Sequence, residues 1–475
     1  MPKEAPTFQP FAQNDPASRG LIARLGLFDA TMIVMGGIVG SGIFITPYVV
    51  ARLVHSPALI LGAWIAGGVL ALMGAFIYAE LADRMPKVGG QYAYLREAYH
   101  PAVGFLYGWV SLLVIHAGGS AATAVTFASY FRELSHGAVS EKTVAVLVVA
   151  ALAAINCIGV RAGSGVQSAF MVLRIAAIAL VVGGGAWFLV HPPASLSMRM
   201  AASWHPLLDR SPGFGLLSAF GAAMVPVMFA YGGWQSSNYI AAEIRDPRKN
   251  LPRALLSGVL TVVALYVAAN FIYVEVLTPA NLRATQAPAS AVMRLALGDR
   301  GAVLIAVAIA LSTLGFLSQA MLTYPRVYFA MAQDGVMPRR FARLESRSRV
   351  PVAAILLQAA VTIAVVVLGT FEQILSYVVV MDWLFFGLTA ACLFVFRARE
   401  RRLAASPETP ERNSASRVPG HPWTTGTFVV AAWLIVIDTI YKYPRNAGVA
   451  VCILLAGIPV YFLLRRNSKS VTGPE

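Results

Sequence analysis

Residues 36–44 read GGIVGSGIF, and they fall in the middle of the first long apolar run of the chain. A continuous membrane helix is hard to draw through them. Each glycine costs roughly 1 kcal/mol relative to alanine inside a helix, and Gly36, Gly37, Gly40 and Gly42 crowd around Ser41. The expectation is a helix broken half-way through the bilayer. Irregular backbone at that depth survives only where protein buries it or where it lines a cavity. The break is therefore a candidate binding site. Small residues spaced by four also allow close helix packing, and the glycines alone leave that alternative open.

The rest of the chain sets the context. It has 475 residues, 58% of them hydrophobic and 12% charged, with a mean hydropathy of +0.68. Soluble domains carry about 25% charged residues. Apolar runs of about 20 residues recur along nearly the whole length, which implies an all-α polytopic membrane protein. The polar start leads into a span expected to be kept, so no cleavable leader is expected. A net charge of +15 invites a nucleic-acid reading. It is set aside because the basic residues lie in loops between spans, not on one face of a soluble module. Cys157, Cys392 and Cys452 all fall in apolar runs and read as small buried hydrophobes. No nucleophile elbow, Walker loop or metal-ligand spacing is found, so neither an enzyme nor a cofactor is expected.

Twelve spans are predicted. The first six lie at about 27–54, 58–82, 101–131, 143–158, 166–190 and 214–243. The last six lie at about 252–277, 301–331, 352–369, 372–396, 425–441 and 447–464. Lys and Arg in the loops orient them. With the N-terminus inside, the cytoplasmic side holds about 26 basic residues against about 10 outside, which places both termini in the cytoplasm.

The sixth span contains FAYGGWQSSN, residues 229–238, a second glycine-built interruption at mid-depth. The two breaks are five spans apart. An odd separation reverses orientation, so two five-helix halves would be related by an axis in the membrane plane. The expected organisation is a tail at about 1–26, repeats at 27–190 and 214–396, a cytoplasmic linker at 397–424, two extra helices at 425–464 and a tail at 465–475.

Chain direction sets the chemistry. The outer half of the first span would begin near Gly42 with free N–H groups facing the gap. A helix N-terminus carries roughly +0.5 charge and suits a carboxylate. The inner half would end near Gly36, and the outer half of the sixth span near 229–231, both presenting free carbonyls. Donors on one side and acceptors on the other fit a zwitterion. Ser41 can add a hydroxyl.

The segments GSGIF, FAYGGW and AEIRDPRKNLPRAL, with residues 79–109 between the second and third spans, resemble the amino acid–polyamine–organocation superfamily. The nearest likeness is its L-type amino acid transporter branch and bacterial relatives. The resemblance covers about 30–400, which spans both repeats. It implies a LeuT-type fold, a 5+5 inverted repeat with two additional C-terminal helices. It also implies an amino acid substrate held between the first, third, sixth, eighth and tenth spans. By motif, Gly40, Ser41 and Gly42 would receive the carboxylate. The carbonyls of Ile38 and Phe229 would receive the ammonium, and Phe229 would also close the outer gate. Gly119, Ala230, Gly232 and Gln235 complete the implied site, with Gln235 standing where that branch often has Asn. Trp234 is open between core packing and a substrate-side role. Animal members tie a glycoprotein subunit through a cysteine after the third span. Residues 132–142 hold none, so no disulfide-linked heavy subunit is expected.

Arg174 and Asp382 are charges set well away from the ends of their spans. An intramembrane Arg costs roughly 2.5–3.5 kcal/mol on insertion scales, so Arg174 needs partners or must snorkel. The resemblance puts it where relatives carry a Lys in place of a sodium ion. It would then exclude sodium and brace the first span against the eighth. Arg keeps its proton, so it is not a proton-coupling group. Asp382, in MDWLFF, is open between a hydrogen-bonded structural acid, a coupling site and a contact for a cationic substrate. His116 is read as packed or hydrogen-bonded rather than a proton relay. Glu80, Glu243 and Glu275 are expected to make interfacial ion pairs, and Asn250 and Pro252 to start the seventh span.

The reading is a plasma-membrane (bacterial inner-membrane) secondary transporter for neutral L-amino acids, sodium-independent, an exchanger or proton-linked. The rivals are a cationic amino acid or polyamine transporter using Asp382, and an amino acid sensor that does not transport. A channel lacks its ring of charges or carbonyls.

Overall fold

The computed structural model describes residues 21–40, 42–134, 139–191, 208, 211–368, 371–404, 416–442 and 444–469. Helices account for nearly all of them. Eleven are long and apolar enough to cross a membrane, and the shorter apolar helix Val352–Leu368 joins them.

The first span is two helices, α1 (Leu27–Ile38) and α2 (Gly42–Leu53). Gly26 N–H donates to the Asp29 carboxylate at 2.9 Å and so fixes the start of α1. The helix stops where the glycines begin to crowd, and Val39 turns extended at φ −75°, ψ 94°. Ser41 lies outside the described residues. Next come α3 (Pro57–Arg84), capped by the Ser56 hydroxyl, and a short α4 (Gln91–Ala98). That short helix lies between the second and third spans, where the sequence predicts only a connection. The third span is α5 (Pro101–Val110) and α6 (His116–Leu134), joined by a π-helical turn, Ser111–Ile115. After it come α7 (Glu141–Ile158), α8 (Val160–Val190) and α9 (Phe214–Tyr231).

The second break is also present, but the chain beyond it departs from the expected helix. Past Gly232 and Gly233 it makes only α10 (Ser236–Tyr239) and a 3₁₀ turn, Ala241–Glu243. The Ser236 hydroxyl bonds back to the Gly233 carbonyl at 2.8 Å. Such local bonds offer the backbone an alternative to the helix ladder.

The remaining helices are α11 (Pro247–Leu282), α12 (Pro288–Thr323), α13 (Pro325–Gln333), α14 (Val352–Leu368), α15 (Phe371–Ala404), α16 (Trp423–Lys442) and α17 (Pro444–Lys469). The start expected at Asn250 and Pro252 is corrected. The helix begins a turn earlier at Pro247, and Asn250 instead donates to the Arg245 carbonyl at 2.6 Å. Helix α15 also runs into the expected linker as far as Ala404.

Packing divides the helices into two groups. The broken helices α1, α2 and α9 pack with α3 and α11, while α6, α7, α12 and α14 pack with one another. Helix α8 lies along α12 and also touches α1 and α11, bridging the groups.

The face that carries the basic loops is closed by buried charges. The Glu80 carboxylate accepts from Arg84 at 2.7 Å, from Arg397 at 2.6 Å and from the Val418 N–H at 2.7 Å. Arg326 donates to Glu243 at 2.8 Å. Glu80 and Glu243 make the pairs expected of them, but both are buried, not interfacial. On α4, the Tyr92 hydroxyl donates to Asp334 at 2.7 Å, and Arg96 pairs with the same carboxylate. Burial first, and then the Asp334 charge, hold the Tyr92 phenol well above its usual range.

Candidate functional site

The two breaks meet backbone to backbone. Gly233 sits at φ +104°, and a β-carbon there would strike the Gly37 carbonyl oxygen. A β-carbon on Gly37 would likewise strike the Gly233 carbonyl oxygen. Only glycine fits at both positions.

Beside this contact lies a cavity of ≈ 70 Å³. It is lined by Ile38, Gly40, Gly42, Gly119, Phe229, Ala230, Gly232, Gln235 and Asp382. Nine of the eleven residues singled out from the sequence thus meet at one place. Ser41 is not described, and Arg174 stands behind the cavity. Neighbouring walls come from His116, Thr123, Phe316, Tyr324 and Trp383, residues that sequence reasoning does not assign to the site. Thr123 carried a signal: it is one helical turn past Gly119, whose carbonyl accepts its hydroxyl at 2.8 Å. Trp383 adjoins Asp382. Nothing local marks Phe316 or Tyr324. Trp234 is fully buried and stacks on Phe386 with ring centroids 4.8 Å apart, so its place is in the core.

The ends of the broken helices supply main-chain groups. The first N–H groups of α2, from Gly42 on, have no partner within their own helix. At the other side, carbonyls at the end of α1 are largely engaged. Arg174 Nη1 donates to the Gly36 carbonyl at 2.8 Å and to the Val39 carbonyl at 2.6 Å. The Tyr266 hydroxyl donates to the Ile38 carbonyl at 3.2 Å. Ile38 keeps one lone pair, since a carbonyl can accept twice. The Phe229 carbonyl accepts from the Gly232 N–H at a long 3.3 Å.

Arg174 does not snorkel. It is 0% exposed, and the space it needs comes from Gly315 on α12, where any β-carbon would meet the guanidinium. A cation is thus wedged between the end of α1 and α12, neutralising the negative pole of a helix C-terminus.

Side chains shape the other end. A methyl group at Gly119 would meet nothing within 4 Å, so this stretch of α6 borders open space. Asp382 is half-buried on the cavity wall and forms no ion pair among the described residues. His116 is 1% exposed and stacks on Tyr324 with ring centroids 3.8 Å apart and planes 7° from parallel. Phe229 lies on the wall and packs against the hydrophobic core. Gly42 is tight against α9, where a β-carbon would come within 3.0 Å of Ala230. A larger residue there would push α2 away from α9 before it filled the cavity. Among the described residues no group of His, Cys, Asp or Glu could hold a metal ion.

Known proteins are similar to this sequence over almost its full length. The mouse large neutral amino acids transporter small subunit 2 is 30% identical over 452 residues, covering 92% of this chain and 80% of the relative. The serine/threonine exchanger SteT of Bacillus subtilis is 28% identical over 456 residues, covering 95% and 99%. The human Asc-type amino acid transporter 1 is 29% identical over 451 residues, covering 92% and 82%. The amino acid permease family matches residues 25–464, and with two interrupted helices facing one cavity inside an all-helical membrane bundle, the chain belongs to that family.

Proposed function

We propose that this permease exchanges neutral L-amino acids across the plasma (bacterial inner) membrane by alternating access, without sodium. One observation carries the reading. The bare N-terminus of α2 and the carbonyl ends of α1 and α9 surround a single cavity of ≈ 70 Å³. That pairing suits an α-carboxylate beside an α-ammonium. Gly40, Ser41 and Gly42 hold the first, Ile38 and Phe229 the second, and Phe229 swings over the bound substrate. The packing of α1, α2, α3, α9 and α11 apart from α6, α7, α12 and α14 supports rocking of one group against the other. Arg174, bonded to the Gly36 and Val39 carbonyls, supports sodium independence, because a fixed cation already sits on those oxygens. A relative named as a serine/threonine exchanger supports exchange. The excess of Lys and Arg on one set of loops supports cytoplasmic termini. With no cysteine in residues 132–142, the transporter works without a disulfide-linked heavy subunit.

Counterflow of labelled amino acids in proteoliposomes tests this. The panel is leucine, alanine, serine, arginine, glutamate and putrescine, with sodium or choline as the salt. Neutral amino acids are expected to be trans-stimulated equally in both salts. Absence of trans-stimulation, or a requirement for sodium, overturns the reading. A second reading, a transporter for cationic amino acids or polyamines, is favoured by Asp382, which lies on the cavity wall and forms no ion pair among the described residues. It predicts arginine or putrescine counterflow that Asp382→Asn abolishes. A sensor would bind amino acids and give no counterflow at all.

A further inference from the structure

His116 lines the side-chain end of the cavity, and the state of its ring is set from outside it. His116 comes directly after the π-helical turn Ser111–Ile115. Such turns add a residue to the helix and re-aim the side chains beyond it, often at functional sites. The His116 Nδ1 lies 3.0 Å from the Tyr328 hydroxyl. That hydroxyl has one proton, and it gives it to the Gln358 carbonyl oxygen at 2.7 Å. The Gln358 amide nitrogen in turn donates to the Thr362 hydroxyl at 3.2 Å. Tyr328 can therefore only accept from His116, so the neutral ring carries its proton on Nδ1. Its Nε2 is a bare acceptor, and it is buried with no hydrogen-bond partner. Tyr328 and Gln358 do not line the cavity; His116 does.

A second acceptor is left open nearby. Gln235 lines the same cavity, and its side-chain oxygen is buried without a partner. A water position needs about 10–15 Å³ of such volume, so ≈ 70 Å³ gives about five to seven water-sized positions, room for a small amino acid, and the choice among side chains falls to the polar groups of the wall. A buried acceptor without a donor costs free energy, whereas a hydroxyl on the ligand removes that cost.

We infer that His116 is a specificity-determining residue, and that its Nε2 accepts a hydrogen bond from the side-chain hydroxyl of a short L-amino acid, serine or threonine. Tyr328 and Gln358 are positioning residues that keep Nε2 unprotonated. The inference rests on the proposed reading of this cavity as an amino acid site. It adds the side-chain chemistry that the site selects.

The test is counterflow in proteoliposomes of the full chain, with serine against alanine and threonine against its hydroxyl-free analogue α-aminobutyrate. Serine and threonine are expected to lead by about tenfold or more in kcat/KM, equivalent to about 1.4 kcal/mol. In His116→Phe the two ratios fall towards one, while His116→Gln, which restores an acceptor, recovers part of them. In Tyr328→Phe the ring is free to place its proton on either nitrogen, and the ratios fall as well. A merely structural Tyr328 would lower all four rates together and leave the ratios intact. Alanine and α-aminobutyrate matching serine and threonine in the unmodified protein overturn the inference and leave the transport reading standing. So do ratios that persist in His116→Phe. No counterflow of any amino acid overturns the transport reading and this inference with it.

Discussion

One end of the cavity is made of main chain and the other of side chains, and the two ends constrain a solute differently. At the main-chain end, α1, α2 and α9 stop short and leave amides and carbonyls pointing at one gap. In the proposed transporter those groups read what every α-amino acid has. At the side-chain end, His116, Thr123, Gln235 and Asp382 stand around open space beside Gly119. In the proposed transporter those groups read what distinguishes one amino acid from another. Damage to the first end should cost all substrates alike, and damage to the second should redistribute them.

The largest effect is expected from Gly233→Ala. Its β-carbon meets the Gly37 carbonyl oxygen, and φ +104° is unfavourable for alanine in any case. Backbone strain of this kind costs about 1–3 kcal/mol, and an ångström of misplacement at a binding site can cost about 100-fold. Counterflow of every amino acid should fall together, and thermal unfolding in detergent should come earlier. Substrate-dependent losses would break the comparison. Next comes Gly42→Val. Overpacking against Ala230, 3.0 Å away, costs about 1–3 kcal/mol. Binding should weaken by a similar factor for serine, alanine and leucine, read by competition against a labelled substrate. Normal binding by a well-folded variant would count against the carboxylate site.

Arg174→Met should act on stability and on the salt response. It strips donors from the Gly36 and Val39 carbonyls, at about 1–3 kcal/mol for buried groups left unsatisfied. Arg174→Lys should recover part of that loss. Sodium stimulation appearing in Arg174→Met would sharpen the idea that the guanidinium occupies a cation's place. Asp382→Asn is expected to leave neutral substrates in the same order and to remove any arginine flux, measured side by side. Gly119→Ala should do least. Its methyl meets nothing within 4 Å, so stability should stay within about 0.5 kcal/mol. Only longer side chains should be disfavoured, seen as a change in the leucine-to-serine ratio.

The main-chain end was legible in the sequence because helix breakage is a local property. Paired glycines in an apolar run announce it without knowledge of any neighbour, and the helix ends near Gly36, Gly42 and residues 229–231 came with them, whereas Ile38, Gly40 and Gly232 were implied by the family resemblance. The side-chain end was legible only in part. Asp382 stood out as a charge in a span, but the role of His116 depends on Tyr328 and Gln358, more than 200 residues away. Arg174 was expected to need partners. Which ones was hidden, since its carbonyl acceptors lie 138 and 135 residues away. The misjudged start at Asn250 has a different origin. Both Pro247 and Pro252 suit the first turn of a helix, and only tertiary structure chooses between them.

The contact between Gly37 and Gly233 has a mechanical consequence. With carbonyl oxygens lodged where side chains would otherwise be, the two interrupted helices are keyed together, and neither can travel far without dragging its neighbour. In the proposed transporter the grip on the solute's carboxylate and ammonium is then carried as a single cassette. The pivots must be sought at its far margins, and the cargo is never let go by halves.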